Sequence, residues 1–125
     1  MDILNISDYQ LEKYITNIML HLGVPAHLKG YYYIRNSILM CCRDMEVATR
    51  VTKLLYPVIA KQFRTSTPMV ERGIRSAIEA SWSDGSADTY EEIFGYSIKS
   101  GKTRPTNSEY IARIADKTRL DIKAI

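Results

Sequence analysis

The sequence predicts an all-α domain of about six helices with an embedded helix-turn-helix. Apolar residues recur at three- and four-residue steps along nearly the whole chain, whereas strand-like alternation is scarce. Capping residues, glycines and prolines divide these periodic stretches into segments of helical length. With 125 residues, of which 46% are hydrophobic and 25% charged, the chain has enough material for a single core.

The first two helices are predicted between Ser7 and Arg43. Ser7 followed by Gln10 fits a capping box, and the apolar stripe that follows stops at Gly23 and Pro25. A second amphipathic helix is predicted from about Ala26 to Arg43, since its apolar residues keep the three- and four-residue spacing.

Three further helical segments are predicted in the middle of the chain. Asp44 is expected to cap a third helix, which Pro57 ends or kinks because proline lacks an amide donor. A short helix from Pro57 to Phe63 precedes the polar break RTST. Thr67 as N-cap and Pro68 at the first helical position then open a longer helix. Its core face is expected to carry Val70, Ile74, Ile78 and Trp82.

The C-terminal third is predicted to hold two more helices. SDGSAD is a predicted loop, and a short helix from Thr89 to Phe94 ends at Gly95. The stretch GYSIKSGKTRP is a basic connection, after which Thr106 and Glu109 form a capping box for the last helix.

Composition and spacing argue against several classes of function. No run approaches the roughly 20 apolar residues of a membrane span, and no signal-peptide pattern is present, so we expect a cytoplasmic protein without membrane contact. Cys41 and Cys42 are expected to be reduced core residues, and His21 and His27 have no metal-like spacing. We expect no metal, no cofactor and no enzyme activity, since no nucleophile–base pair or phosphate loop is recognisable.

The short helix, the polar turn and the helix after it match a helix-turn-helix at about residues 57–76. In such units the second helix enters the DNA major groove with its N-terminal residues against the base edges. Glu71, Arg72 and Arg75 crowd this end. Arginine donates two hydrogen bonds to guanine and glutamate accepts from cytosine, so the trio suits a C-G step. A solvated helix face has the same appearance, and the pattern alone leaves both interpretations open.

Charge and glycine placement bear on the same region. The net charge of +3 suits a polyanion only if it is clustered on one face. Gly73 costs about 1 kcal/mol relative to alanine in a helix, which indicates a close approach either to DNA or to another helix. DNA backbone contacts are expected at the turn and at two helix N-termini. The expected residues are Lys61, Arg64, Thr65, Ser66, Thr67, Ser76, Asn107 and Ser108.

Several stretches resemble one family throughout most of the chain. In order they are GVPAHLKGYYYIRNSI, VTKLLYPVIAKQF, VERGIRSAIEASW, IFGYSI and KTRPTNSEYIARIADKTRLDIKA. They resemble the C-terminal effector domain of the stage-zero sporulation response regulator, the transcription factor that initiates endospore formation in Firmicutes. The resemblance runs from about Ile15 to Ala124. It implies a six-helix fold that binds T-G-N-C-G-A-A-type DNA boxes, activates or represses promoters, and contacts the RNA polymerase sigma subunit.

The resemblance also implies roles for individual residues. The base-reading residues of the family fall on Glu71, Arg72 and Arg75, and tandem boxes imply a homodimer on DNA. The sigma-factor surface falls on Gly85, Thr89, Glu91, Phe94 and Ile98. Phe94 and Ile98 equally fit an ordinary core.

Three positions depart from the family pattern. A basic residue is common where Met69 stands and alanine where Gly73 stands. Small or hydroxyl residues are familiar at the position of Glu91, so the added carboxylate bears on activation more than on DNA binding.

The resemblance also implies an N-terminal phosphoacceptor receiver domain, for which 125 residues leave no room. The chain is therefore expected to be a single effector domain, either excised or naturally without a receiver. The alternative is a receiver-less interaction module that modulates sigma factor or the full-length regulator without binding DNA.

Overall fold

Seven α-helices and no strand make up the structure, a computed structural model that describes all 125 residues. The helices are α1 (Asp8–Leu22), α2 (Lys29–Arg43), α3 (Glu46–Thr49), α4 (Tyr56–Gln62), α5 (Thr67–Asp84), α6 (Ala87–Phe94) and α7 (Asn107–Lys123). A π-helical turn, Val51–Leu55, precedes α4, and a 3-10 turn, Ile98–Ser100, follows α6. The all-α prediction is confirmed. No helix is long and apolar enough to cross a membrane.

Local capping determines where several helices begin and end. The Ser7 hydroxyl accepts a hydrogen bond from the Gln10 amide at 3.1 Å, and Gly23 ends α1 with φ 73°. Helix α2 begins at Lys29 and not at Ala26, because the backbone first closes a turn from Pro25 to Leu28. Leu28 itself is extended, so its neighbour is the first helical residue.

The predicted third helix is broken into two pieces. Asp44 accepts a hydrogen bond from the Glu46 amide at 3.0 Å, yet α3 ends after one turn and Arg50 leaves helical geometry. The prediction that Pro57 ends or kinks this helix is wrong, because the break lies earlier, at Arg50. Pro57 lies in the first turn of α4, where its missing amide breaks no intrahelical hydrogen bond.

Helix α2 lies at the centre of the fold and packs against α1, α5 and α7. Its closest approach to α5 is at Gly30, where an added Cβ would lie 2.0 Å from the carbonyl oxygen of Gly73. A Cβ on Gly73 would in turn lie 2.9 Å from the ring of Tyr33. Of the two explanations left open for Gly73, close helix packing is the one that the structure supplies.

Three buried hydroxyls connect the C-terminal half of α5 to its neighbours. The Ser81 hydroxyl donates to the carbonyl oxygen of Leu22 at 2.8 Å and also contacts the Tyr90 hydroxyl. The hydroxyls of Tyr90 and Tyr110 are 3.1 Å apart. Because each polar atom has a partner, burying this cluster incurs little desolvation penalty. The cluster fixes α6 and α7 relative to α5.

Candidate nucleic-acid interface

Helices α4 and α5 are joined by a tight turn closed through backbone hydrogen bonds. The Thr65 amide donates to the Ala60 carbonyl oxygen at 2.9 Å, and the Arg64 amide donates to that of Lys61 at 3.3 Å. This pair of bonds is the Schellman pattern, in which glycine usually takes the left-handed position. Here that residue is Arg64, with φ 53°. The turn therefore holds an exposed arginine in a left-handed backbone conformation that residues other than glycine rarely adopt.

Ser66 and not Thr67 caps α5. Its backbone is extended, and its hydroxyl accepts a hydrogen bond from the Met69 amide at 3.3 Å. Thr67 is already helical and is the first residue of α5, which corrects the predicted N-cap by one position. Both residue types cap helices well, so only the backbone geometry distinguishes them.

One face of α5 is anchored in the core. Val70, Ile74 and Ile78 are fully buried, and Trp82 is nearly so. Phe63 directly follows α4, is 36% exposed and lies edge-on to Tyr33 of α2, with ring centroids 5.1 Å apart. This anchoring leaves the other face of the N-terminal half of α5 exposed.

The three predicted base-reading residues lie together on this outward side. Arg75 Nη1 and Glu71 Oε1 form an ion pair at 2.7 Å, with side-chain exposures of 45% and 36%. Arg72 is exposed, and its only side-chain hydrogen bonds are to the Pro68 carbonyl oxygen at 3.4 Å and to Met69 Sδ at 3.3 Å. The arrangement presents a carboxylate acceptor beside two sets of guanidinium donors.

The start of α7 lies beside this end of α5. The Asn107 side-chain amide donates to the Tyr56 hydroxyl and to the Glu71 carbonyl oxygen, both at 3.0 Å. The Thr106 hydroxyl caps α7 by accepting from the Glu109 amide at 3.2 Å. A groove of about 520 Å³ separates the two helix starts, and its lining includes Arg75, Arg104 and Ser108. The Asn107 side chain is thus committed to holding α4, α5 and α7 together.

A comparison with protein families identifies the domain. A sequence model of the family described as "Sporulation initiation factor Spo0A C terminal" matches residues 15–118. The chain belongs to this family. The Spo0A C-terminal family consists of DNA-binding regulators of sporulation and is not an enzyme family. The match extends from α1 to α7 and includes the whole of the α4–turn–α5 unit.

The residues of the expected sigma-factor surface divide into exposed and packed ones. Phe94 is only 7% exposed and stacks on Tyr90 and Tyr110, so it is a core residue and not a surface one. Ile98 is 47% exposed. Glu91 is also exposed and accepts a hydrogen bond from the Ser97 hydroxyl at 2.9 Å.

The remaining two residues of this surface have local structural roles. A Cβ on Gly85 would lie 2.0 Å from the Leu22 carbonyl oxygen, so Gly85 allows the end of α5 to pack on α1. The Thr89 amide donates to the Ser86 cap of α6 at 3.2 Å.

Sequence reasoning missed Tyr56. Its side chain is buried, its hydroxyl accepts from Asn107, and it lines the groove between α5 and α7. Desolvation by burial raises the pKa of its hydroxyl, so the group stays a neutral hydrogen-bonding partner. No local signal marks this tyrosine, because it follows an apolar run and precedes a proline.

Proposed function

We propose that this domain regulates sporulation-type genes by placing the N-terminal half of α5 in the major groove of a T-G-N-C-G-A-A-like box. One observation carries the proposal: Glu71, Arg72 and Arg75 lie together on the exposed side of a helix whose opposite face is buried. These are the residue types that read cytosine and guanine edges. The family match supports DNA binding and the regulation of sporulation for the domain as a whole.

The ion pair of Glu71 and Arg75 is weak compared with a contact to a base. An exposed pair of this kind contributes about 0.2–1 kcal/mol to stability. One bidentate contact of arginine to guanine contributes about 1–3 kcal/mol of discrimination. The pair can therefore open on binding at little cost, which leaves Glu71 able to accept from cytosine and Arg75 able to donate to guanine.

Phosphate contacts around the N-terminal end of α5 would fix the position of this helix along the DNA. Arg64, held outward by the left-handed turn, and Lys61 on α4 are exposed and basic. Ser66 and Thr67, together with the Thr67 amide, lie at a helix N-terminus, which favours anions. Other expected contacts are Thr65, Ser76 and Ser108, with Asn107 contributing through its backbone amide.

Alanine variants test the base contacts. Arg72→Ala and Arg75→Ala should each lose discrimination at one guanine in competition assays against singly substituted boxes. Lys13→Ala removes the same charge from α1 and serves as the control. If either arginine variant instead weakens binding equally on all duplexes, that arginine contacts phosphate and does not read sequence.

A second proposed surface contacts the RNA polymerase sigma subunit. Exposed Glu91 and Ile98 lie on α6 and on the turn after it, and α6 follows the C-terminal end of α5. Helix α5 has 18 residues and spans about 27 Å, so DNA at its start and a protein beyond its end do not compete for space. Glu91→Ser should change promoter output in a reconstituted transcription assay without changing DNA affinity. Parallel changes in both would remove this proposal.

Tandem boxes supply a site for a homodimer. Titration of a two-box duplex should reach two chains per duplex, with the second chain binding more tightly than a chain binds to an isolated box.

The alternative function is an interaction module that modulates sigma factor or the full-length regulator without binding DNA. It predicts that Arg72→Ala leaves regulation intact.

A further inference from the structure

An apolar side chain lies among the charged residues at the N-terminal end of α5, where the proposed base-reading residues lie. Met69 is 47% exposed, and its amide is occupied by the Ser66 cap. Single exposed apolar residues are ordinary on protein surfaces, so exposure alone indicates nothing. The position of Met69 relative to the two arginines is the informative feature.

Met69, Arg72 and Arg75 form a diagonal row on the surface of α5. Residues three apart on a helix are separated by about 60° around the axis and about 4.5 Å along it, so each is the neighbour of the next. Arg72 Nη2 lies 3.3 Å from Met69 Sδ, which shows that the two side chains extend side by side. The row therefore presents one thioether followed by two guanidinium groups.

The chemistry of methionine restricts what it can contact in a major groove. It has no hydrogen-bond donor and only a weak acceptor, so it is unsuited to the polar edges of guanine, cytosine or adenine. The C5-methyl group of thymine is the apolar group exposed there. A flexible, polarisable thioether packs well against such a methyl group.

Spacing places a thymine within reach. Base pairs are about 3.4 Å apart, so for a helix that lies along the groove a neighbour about 4.5 Å along α5 from Arg72 meets a base one or two pairs away. In a T-G-N-C-G-A-A box each guanine of that strand has an A·T pair beside it. We propose that Met69 contacts a thymine methyl group and so determines specificity at that pair, an inference that rests on the proposed DNA-binding function.

Deoxyuridine provides the test, because it removes only the methyl group. Each thymine of the box is replaced in turn, and affinities are measured by fluorescence anisotropy for the wild-type chain, Met69→Ala and Met69→Leu. We expect one replacement to weaken wild-type binding about fourfold, the effect of losing one buried methyl group. Met69→Ala should bind that duplex and the thymine duplex equally, whereas Met69→Leu should keep most of the difference.

The same measurements distinguish failure of the Met69 contact from failure of the proposed DNA-binding function. If the wild type prefers the intact box but ignores every deoxyuridine, or if Met69→Ala is as sensitive as wild type, the methyl contact is wrong and base readout stands. If the wild type has no preference for the box, both fail. Circular dichroism on each variant checks folding, which an exposed residue should not affect.

Discussion

Replacing Gly30 with alanine should disturb the fold at the point that positions α5. The new Cβ would lie 2.0 Å from the Gly73 carbonyl oxygen and 2.6 Å from its carbonyl carbon, both backbone atoms. The two helices would have to separate by more than about 1 Å to reach normal contact. Overpacking of this kind costs about 1–3 kcal/mol or more, while the better helix propensity of alanine returns about 1 kcal/mol.

We expect a net loss of about 1–2 kcal/mol in the free energy of unfolding. For a domain of 125 residues this corresponds to a fall of about 3–10 °C in Tm, measured by far-UV circular dichroism. Gly73→Ala is the matched control, because its Cβ would approach the Tyr33 side chain at 2.9 Å but no backbone atom of another helix closer than 3.7 Å, and it should stay within about 1 kcal/mol of wild type. A Gly30→Ala protein as stable as wild type would refute the packing argument.

Two further substitutions and a change of pH should alter the stability of the domain or its binding to DNA. Arg64→Gly relieves the positive φ and should stabilise the domain by about 0.5–1 kcal/mol. It should also reduce the salt dependence of DNA binding by about one phosphate contact. An unchanged slope of affinity against salt concentration would contradict the phosphate contact. Burial raises the pKa of the Cys41 and Cys42 thiols to about 12. Because thiols in the unfolded chain titrate at about 8.5, the contribution of these two thiols to stability should be constant below that pH and fall from about pH 9 towards 12. Equal urea midpoints at pH 7.5 and 10 would count against this. Tyr90→Phe removes a hydroxyl from the cluster with Ser81 and should cost about 1–3 kcal/mol without altering DNA affinity; lost affinity would show that the cluster also governs binding.

Helix boundaries were predictable where local chemistry determines them. Ser7 and Thr106 cap helices through their own side chains, and Gly23 and Gly95 take left-handed conformations at helix ends. The break after α3 was not predictable. The π-helical turn buries both Val51 and Leu55 against the rest of the molecule, and no local pattern encodes that requirement.

The candidate site was predictable for a similar reason. Glu71, Arg72 and Arg75 are close in sequence on one helix, so helical geometry alone brings them together. The Gly30–Gly73 contact joins two helices distant in the chain, and sequence alone could not choose it over an approach to DNA. Phe94 and Ile98 are both apolar, yet only Phe94 meets Tyr90 and Tyr110, and this tertiary contact decides which one stays exposed.

The central claim is that the N-terminal end of α5 reads base sequence. Its most direct test is fluorescence anisotropy of the wild-type chain on a T-G-N-C-G-A-A duplex and on the same duplex with its C-G step inverted, at two salt concentrations. We expect a preference for the intact box that persists while higher salt weakens both affinities. Equal binding to the two duplexes at both salt concentrations would contradict it.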